Sequence, residues 1–470
     1  MLGSPCLPSW GSCSLESQLL SRGHLSPGIF LRNAEIILPS LCIEMKKNSF
    51  FKHLLVSDLS GVERAKTVWC ENGDTSLQRA GWIPSNALIT CFGDLAPSKM
   101  PEIGDVNLVE INELPVMLNH KEQTSETRFS ICAIENLDNT PWTCCLRSQL
   151  EKAMKRLEKS FGLQLRIGLE QEFYLMDSTR EILNAYSLKS FFEEEDFLET
   201  LARSLESSGL ELKSLHSENG VAQYEFTFSP ENPLNACDHL VLAKSISRWC
   251  AVKMGRMITF SPLISKEKVG SGLHVHFSLC DQDGININED EKHQISQTAG
   301  AFLSGILKHL NALTAFTSPS FISGLRYQPP RWTAYFNNFA IQDRKAAIRQ
   351  TFLGDGLESF HFEFRTADAA ASPYLVLSSL IHAGCNGLDQ QISPPKSLMT
   401  HELLKEMPEG ISRLPITLHE SLNALKTDET LMRSFPDELM QHYLENKYFE
   451  LKIAEKYESK ELFQHYSQCY

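Results

Sequence analysis

No stretch of this chain approaches the roughly 20 consecutive apolar residues that a membrane-spanning helix needs. There is no C-x-x-C pair, and the adjacent Cys144 and Cys145 do not have a zinc-binding spacing. The 13 cysteines are odd in number and irregularly placed, so reduced thiols in a cytoplasmic setting are expected and a disulfide framework is not. Positive charge is scarce. Lys and Arg number 44 against 58 Asp and Glu, and the net charge of −14 argues against nucleic acid as a partner. No internal repeat is evident. The length suits two or three domains of ordinary globular composition.

Residues 1–44 are rich in Ser, Pro, Gly and Cys without a sustained period, and are expected to be a disordered leader or an extension upstream of a start at Met45. From there to residue 143 the chain is turn-rich. HLLVSDLSG, RAKTVWC, NALITCF, VNLVEI and RFSICAIE read as short strands of a mixed or antiparallel sheet. Residues 144–470 alternate helices and strands without a clean βαβ repeat, which predicts an α+β domain. In its first helix Leu150, Met154, Leu157 and Phe161 recur at helical spacing up to Gly162. Further helices are expected from Phe197 to Leu205, over 237–256 and 295–314, after Pro373, and through the charged C-terminal segment.

Four stretches of this second region place chemically loaded residues two positions apart: Glu170/Glu172, Gln223/Glu225, His274/His276 and Glu363/Arg365. On a strand, i and i+2 share a face. If these are strands of one sheet, one face carries four carboxylates, two imidazoles and a guanidinium, with Glu218 at the rim. Carboxylates so crowded repel unless cations lie between them. Hard divalent cations such as Mg²⁺ or Mn²⁺ suit oxygen-rich sites with an occasional imidazole. Any one pair alone is more simply a solvated face or a hydrogen-bonded core pair; the four together point to a multi-metal active site.

The order E-x-E-F, E-x₆-E, G-S-G-L-H-V-H-F-S (270–278), Arg326-x₁₇-Arg344-x₄-Arg349 and E-F-R-T-A-D-A-A-A-S-P-Y-L (363–375) resembles type I glutamine synthetase over residues 50–470. The resemblance implies a small N-terminal β-grasp-like domain and a larger catalytic domain with a curved antiparallel sheet. It also implies a homo-oligomer with active sites between subunits. It assigns one Mg²⁺ or Mn²⁺ to Glu172, Glu218 and Glu225, and a second to Glu170, His274 and Glu363. Arg326 and Arg365 match arginines that hold glutamate, and Gly270 lies in the substrate loop. Arg344 and Arg349 match those facing the transferring phosphoryl group and the nucleotide phosphates. His276 and Ser278 match ATP-side contacts. The implied chemistry is ATP-dependent phosphorylation of the glutamate γ-carboxylate, followed by attack of ammonia or an amine.

The chain departs from that pattern where the acceptor is handled. The Asp-Gly-Ser-Ser segment of ammonia-using members is replaced by SNALITCFGDLAP, with Asp94 a loose substitute, and Trp332 stands where a flap glutamate is expected. Val269 replaces an asparagine, and Glu358 and His361 stand near the position of missing basic residues. An ammonium pocket needs anionic or carbonyl ligands. Trp332 fits a larger amine and resembles the γ-glutamyl-polyamine and γ-glutamyl-amide ligase branch, although it could equally pack its own loop. Rival readings are a ligase on another carboxylic acid, or a catalytically silent structural or regulatory member.

Overall fold

The computed structural model describes residues 49–71, 78–98, 104–120, 123–177, 185–292, 294–329, 331–351 and 361–470. All belong to one compact unit. The expected leader over 1–44, and Glu358, lie outside the described residues.

Alternating apolar residues build the first sheet. Strands β1 (Ser49–Ser57), β2 (Glu63–Glu71), β3 (Arg79–Trp82), β4 (Val106–Glu110), β5 (Leu114–His120) and β6 (Gln123–Glu135) pair in the order β2-β1-β6-β4-β3, with β5 also on β6. The sheet is mixed, because β1 runs parallel to β6 while the other pairs are antiparallel. NALITCF is not the expected strand. Pro84 starts a 3₁₀ turn over Pro84–Leu88 that buries Ala87 and Leu88. Proline fixes φ and lacks the N–H that a ladder requires, so the segment begins as a turn, and its pairing is limited to a bridge between Ile89 and Leu95.

The second region interleaves α1 (Leu146–Phe161), β7 (Gln164–Leu175), α2 (Leu188–Phe192), α3 (Glu195–Ser207), β8 (Leu212–Ser217), β9 (Gln223–Phe228) and α4 (Pro233–Lys253). β10 (Ile258–Thr259), β11 (Leu273–Cys280), α5 (Gln297–Lys308), α6 (Leu310–Thr317), β12 (Phe339–Ile341), β13 (Ile348–Thr351) and β14 (His361–Phe364) follow. The chain closes with α7 (Pro373–Asp389), α8 (Thr400–Leu403), α9 (Leu418–Thr427), α10 (Glu429–Ser434), α11 (Asp437–Ala454) and α12 (Ser459–Cys469). α1 ends where Gly162 takes a left-handed conformation at φ 67°, and its N–H bonds to the carbonyl of Glu158. The helix expected over 295–314 is split at His309 into α5 and α6. The C-terminal helical run is divided by Asp428, whose side chain caps Leu431, and by Pro436 at the start of α11.

Eight strands form the large sheet, in the order β12-β13-β14-β11-β7-β9-β8 with β10 on β7. All pairings are antiparallel except β12 with β13. Leu165, Ile167, Leu169 and Phe173 of β7 are buried with Leu273, Val275, Phe277 and Leu279 of β11 in the core shared with α4, α5 and α7. This alternation leaves the opposite face of the same strands for polar residues. α5 and α7 touch backbone to backbone. A Cβ on Gly305 would lie 2.3 Å from the Ala383 carbonyl oxygen, and one on Gly387 would lie 2.0 Å from that of Ala301.

Buried ion pairs tie the sheets and helices together. Glu63 of β2 meets Lys244 of α4 at 2.9 Å and also pairs with Arg248. Lys447 and Glu450 of α11 are wholly inaccessible and 2.8 Å apart, and the Tyr466 hydroxyl donates to Glu450 at 2.8 Å. Removing one partner strands a buried charge. Glu450→Ala is therefore expected to cost about 3–5 kcal/mol in urea unfolding. A cost below about 1 kcal/mol would show that Lys447 finds another partner or sheds its proton readily.

Candidate active site

The register of the large sheet converts the i, i+2 pairs into one diagonal stripe. Across β8, β9 and β7, His216 lies opposite Glu225, and Glu225 opposite Glu172. Two residues along β7, Glu170 lies opposite His274 of β11. Two residues along β11, His276 lies opposite Glu363 of β14, which in turn faces Arg349 of β13. Directly opposite residues of antiparallel strands project to the same side, so the stripe crosses the sheet from β8 to β13.

The distances bring these side chains within hydrogen-bond or ion-pair reach of one another. His274 Nδ1 lies 3.2 Å from Glu170 and 3.7 Å from Glu363, and its Nε2 lies 3.8 Å from Glu172. His276 Nε2 lies 3.0 Å from Glu170 and 3.8 Å from Glu363. Three groups present ligand atoms within 4.8 Å of one another: Glu170, His276 and Glu363; Glu170, Glu225 and His274; and His216, Glu218 and Glu225. Five of the six predicted ligands fall in these triads, grouped differently from the two sets that the resemblance implies; Glu172 is in none of them but lies 3.8 Å from His274.

Each carboxylate is held in its own way. Glu172 accepts from the Gln223 side chain at 2.8 Å and from the Gly272 N–H at 3.0 Å through one oxygen, leaving the other toward His274. Burial opposes ionisation of Glu170, but the His274 and His276 rings override it and hold the carboxyl well below the usual range. Burial likewise opposes ionisation of Glu363, yet Arg365, His276, His274 and Arg349 bring it down to about 2. One Glu363 oxygen pairs with Arg365 and the other with Arg349. Glu218 accepts from Tyr186 at 2.9 Å and lies 3.2 Å from His216. Among the described residues Glu225 has only His216 for support, at 3.7 Å. Burial, and then repulsion from Glu170, Glu172, Glu218 and Glu363, push it up to about 10. A divalent cation in this group would restore its charge, so the donor set fits hard metal ions.

Two cavities meet at Glu170. The central one, about 420 Å³, is walled by Glu172, Glu218, Glu225, His274, Gly270, Arg326, Trp332, Arg344 and Arg365, among others. The second, about 760 Å³, is walled by His276, Ser278, Arg166, Phe228, Ile285 and His361, among others. Gly270 admits the buried Arg326, since a Cβ there would lie 2.9 Å from the Arg326 Cγ. The Arg365 Nε is buried without an acceptor among the described residues, leaving it available to an anionic ligand. Arg349 stands behind Glu363 and on the wall of neither cavity. Asp94 is exposed in a turn and lines neither cavity.

His216, Tyr186, Arg331 and Thr333 also reach the central cavity without having been picked out in the sequence. His216-x-Glu218 is a further i, i+2 pair that the same reading could have found. His361, noted only as a neighbour of missing basic residues, bonds to His276 Nδ1 at 2.8 Å. Tyr186, Arg331 and Thr333 carry no spacing signal, because they come from connections between elements.

The glutamine synthetase catalytic-domain family model matches residues 143–466. The chain is 28% identical to type-1 glutamine synthetase 1 of Dictyostelium discoideum over 464 residues, covering 90% of this chain and 91% of that one. It is 30% identical to the gamma-glutamylpolyamine synthetase GlnA3 of Streptomyces coelicolor over 311 residues, covering 63% of this chain and 66% of that one. A solved structure described as a novel glutamine synthase homolog superposes with a TM-score of 0.80 at 27% identity, covering 90% of this chain and 98% of that one.

Two outcomes follow from this geometry. A Cβ at Gly272 would lie 2.7 Å from His274 Nε2 and 3.3 Å from Glu172. Gly272→Ala should weaken Mn²⁺ binding by about 10–100-fold in a titration, as losing the support of a ligand does. Unchanged affinity would place the metal away from His274. Glu225→Ala removes a carboxyl that its neighbours already disfavour. It should leave the metal-free melting temperature unchanged or raised, and abolish the rise that Mg²⁺ gives the parent protein. A Mg²⁺-induced rise equal to the parent's would remove Glu225 from the ligand set.

Proposed function

This chain belongs to the glutamine synthetase family of ATP-dependent ligases, and we propose that its preferred acceptor is an organic amine, not ammonia. The observation that carries this reading is Trp332. Its side chain is 58% exposed and forms part of the central cavity wall at the position where a flap carboxylate is expected. An apolar ring at that wall favours an amine with an alkyl or aryl body over a bare ammonium ion. Similarity to a gamma-glutamylpolyamine synthetase also supports an amine acceptor.

Glutamate binds in the central cavity, its carboxylates facing Arg326 and Arg365. ATP occupies the neighbouring cavity beside His276 and Ser278, with its phosphates directed toward Glu170, where the two cavities join. Two or more Mg²⁺ or Mn²⁺ ions, held by Glu170, Glu172, Glu218, Glu225, His274 and Glu363, would neutralise the phosphates and the developing charge. His216 is an additional ligand candidate.

The glutamate γ-carboxylate oxygen attacks the terminal phosphorus of ATP, releasing ADP and forming γ-glutamyl phosphate. Arg344, on the cavity wall, stabilises the charge on the group in transfer. Arg349 acts by holding Glu363. The amine nitrogen then attacks the acyl carbon, loses a proton and expels phosphate. A cytoplasmic homo-oligomer with active sites completed between subunits is part of the same reading.

An amine panel with glutamate and ATP, read as phosphate release and product mass, tests it. At least one organic amine should exceed ammonia in kcat/KM, by about tenfold or more for a buried apolar body. Trp332→Glu should shift the ratio toward ammonia. Efficient glutamine formation that no amine in the panel surpasses would refute the acceptor assignment while leaving the ligase chemistry intact.

A further inference from the structure

Beyond Trp332 the structure holds a third cavity of about 420 Å³. Trp332 and Arg344 belong to the walls of both this cavity and the central one, so the two adjoin at the indole and the guanidinium. The remaining wall comes from the loop before β13 and from α8 with its flanking residues Met399 and Leu404. It combines apolar surface from Met399 and Leu404 with the charged or titratable side chains of Asp343, Lys345 and His401.

The charge balance of this outer cavity is positive. Among the described residues, Arg344 and Lys345 bring two basic side chains to the wall and Asp343 the one carboxylate. Its two oxygens already accept backbone N–H groups, from Lys345 at 2.9 Å and from Thr400 at 2.7 Å. They are thus committed to shaping the loop. A second ammonium group on an acceptor would meet two like charges against the single carboxylate of Asp343. A carboxylate, sulfonate or phosphate would meet a wall with a net positive charge, one carboxylate against two basic groups, and an apolar approach along Trp332.

We infer that the acceptor is a primary amine whose far end is anionic, an amino-acid-like molecule lying along Trp332 with its acidic group against Lys345 and His401. This rests on the amine-acceptor reading above and specifies its substrate class. The amino nitrogen attacks in the central cavity as already written, so the outer cavity takes part only in binding.

Three probes matched in length test it on the full-length enzyme with glutamate and ATP: 4-aminobutanoate, butylamine and 1,4-diaminobutane. The expected order of kcat/KM is the anionic amine above the neutral one and the dication last, with about tenfold or more between first and last. Lys345→Glu should reverse the order of the first and last probes. If that variant fails to fold, His401→Glu on the exposed face of α8 should move the ratio in the same direction. Preference for diaminobutane, or equal use of all three, overturns the anionic-acceptor inference and leaves the amine-ligase reading standing. Use of ammonia in preference to every probe overturns both.

Discussion

The antiparallel register of β9, β7, β11 and β14 is the constraint on which the site depends, because it brings like charges closer than they would stay in water. The protein compensates them unequally. Glu170 has two imidazoles, Glu363 two guanidinium groups, and Glu172 a side-chain amide and a backbone N–H. Among the described residues Glu225 has only His216 at 3.7 Å and four neighbouring carboxylates, so it is the member whose ionisation most needs a bound cation. Metal binding at Glu225 is therefore coupled to loss of the proton that its neighbours hold on it.

Such a face holds its geometry only if the backbone beneath it is rigid. The buried aliphatic and aromatic residues on the other side of β7 and β11 supply that rigidity, with α5 and α7 locked at their paired glycines. The G-S-G segment adds local control. Gly270 leaves room for Arg326 and Gly272 for His274, while their backbone groups bond to Gln223 and Glu172. Substrate loop and metal face are thus one packed unit, and a methyl group added at either glycine reaches a functional side chain.

The acceptor side is built differently. Trp332 and Lys345 lie in the loops on either side of β12, off the strands that carry the charged stripe. Loops of this kind can change side chains without disturbing the sheet that performs the phosphoryl chemistry. That separation accounts for a chain with a full set of metal-ligand candidates and an altered acceptor wall.

The period-2 pairs were legible in the sequence because a strand fixes its own side-chain alternation, and Glu170, Glu172, Glu225, His274, His276 and Glu363 all fall on one face. The amphipathic helices α1 and α3 were legible for the same reason, each carrying its buried residues at helical spacing. The 3₁₀ turn at Pro84 was misread because its apolar residues mimic a strand, and only proline geometry distinguishes them. Which carboxylate meets which imidazole was undetermined, since register between strands distant in sequence is set by tertiary pairing. Tyr186, Arg331 and Thr333 were equally invisible. A connecting loop has no period, so only the packed fold decides that its side chains arrive at the cavity.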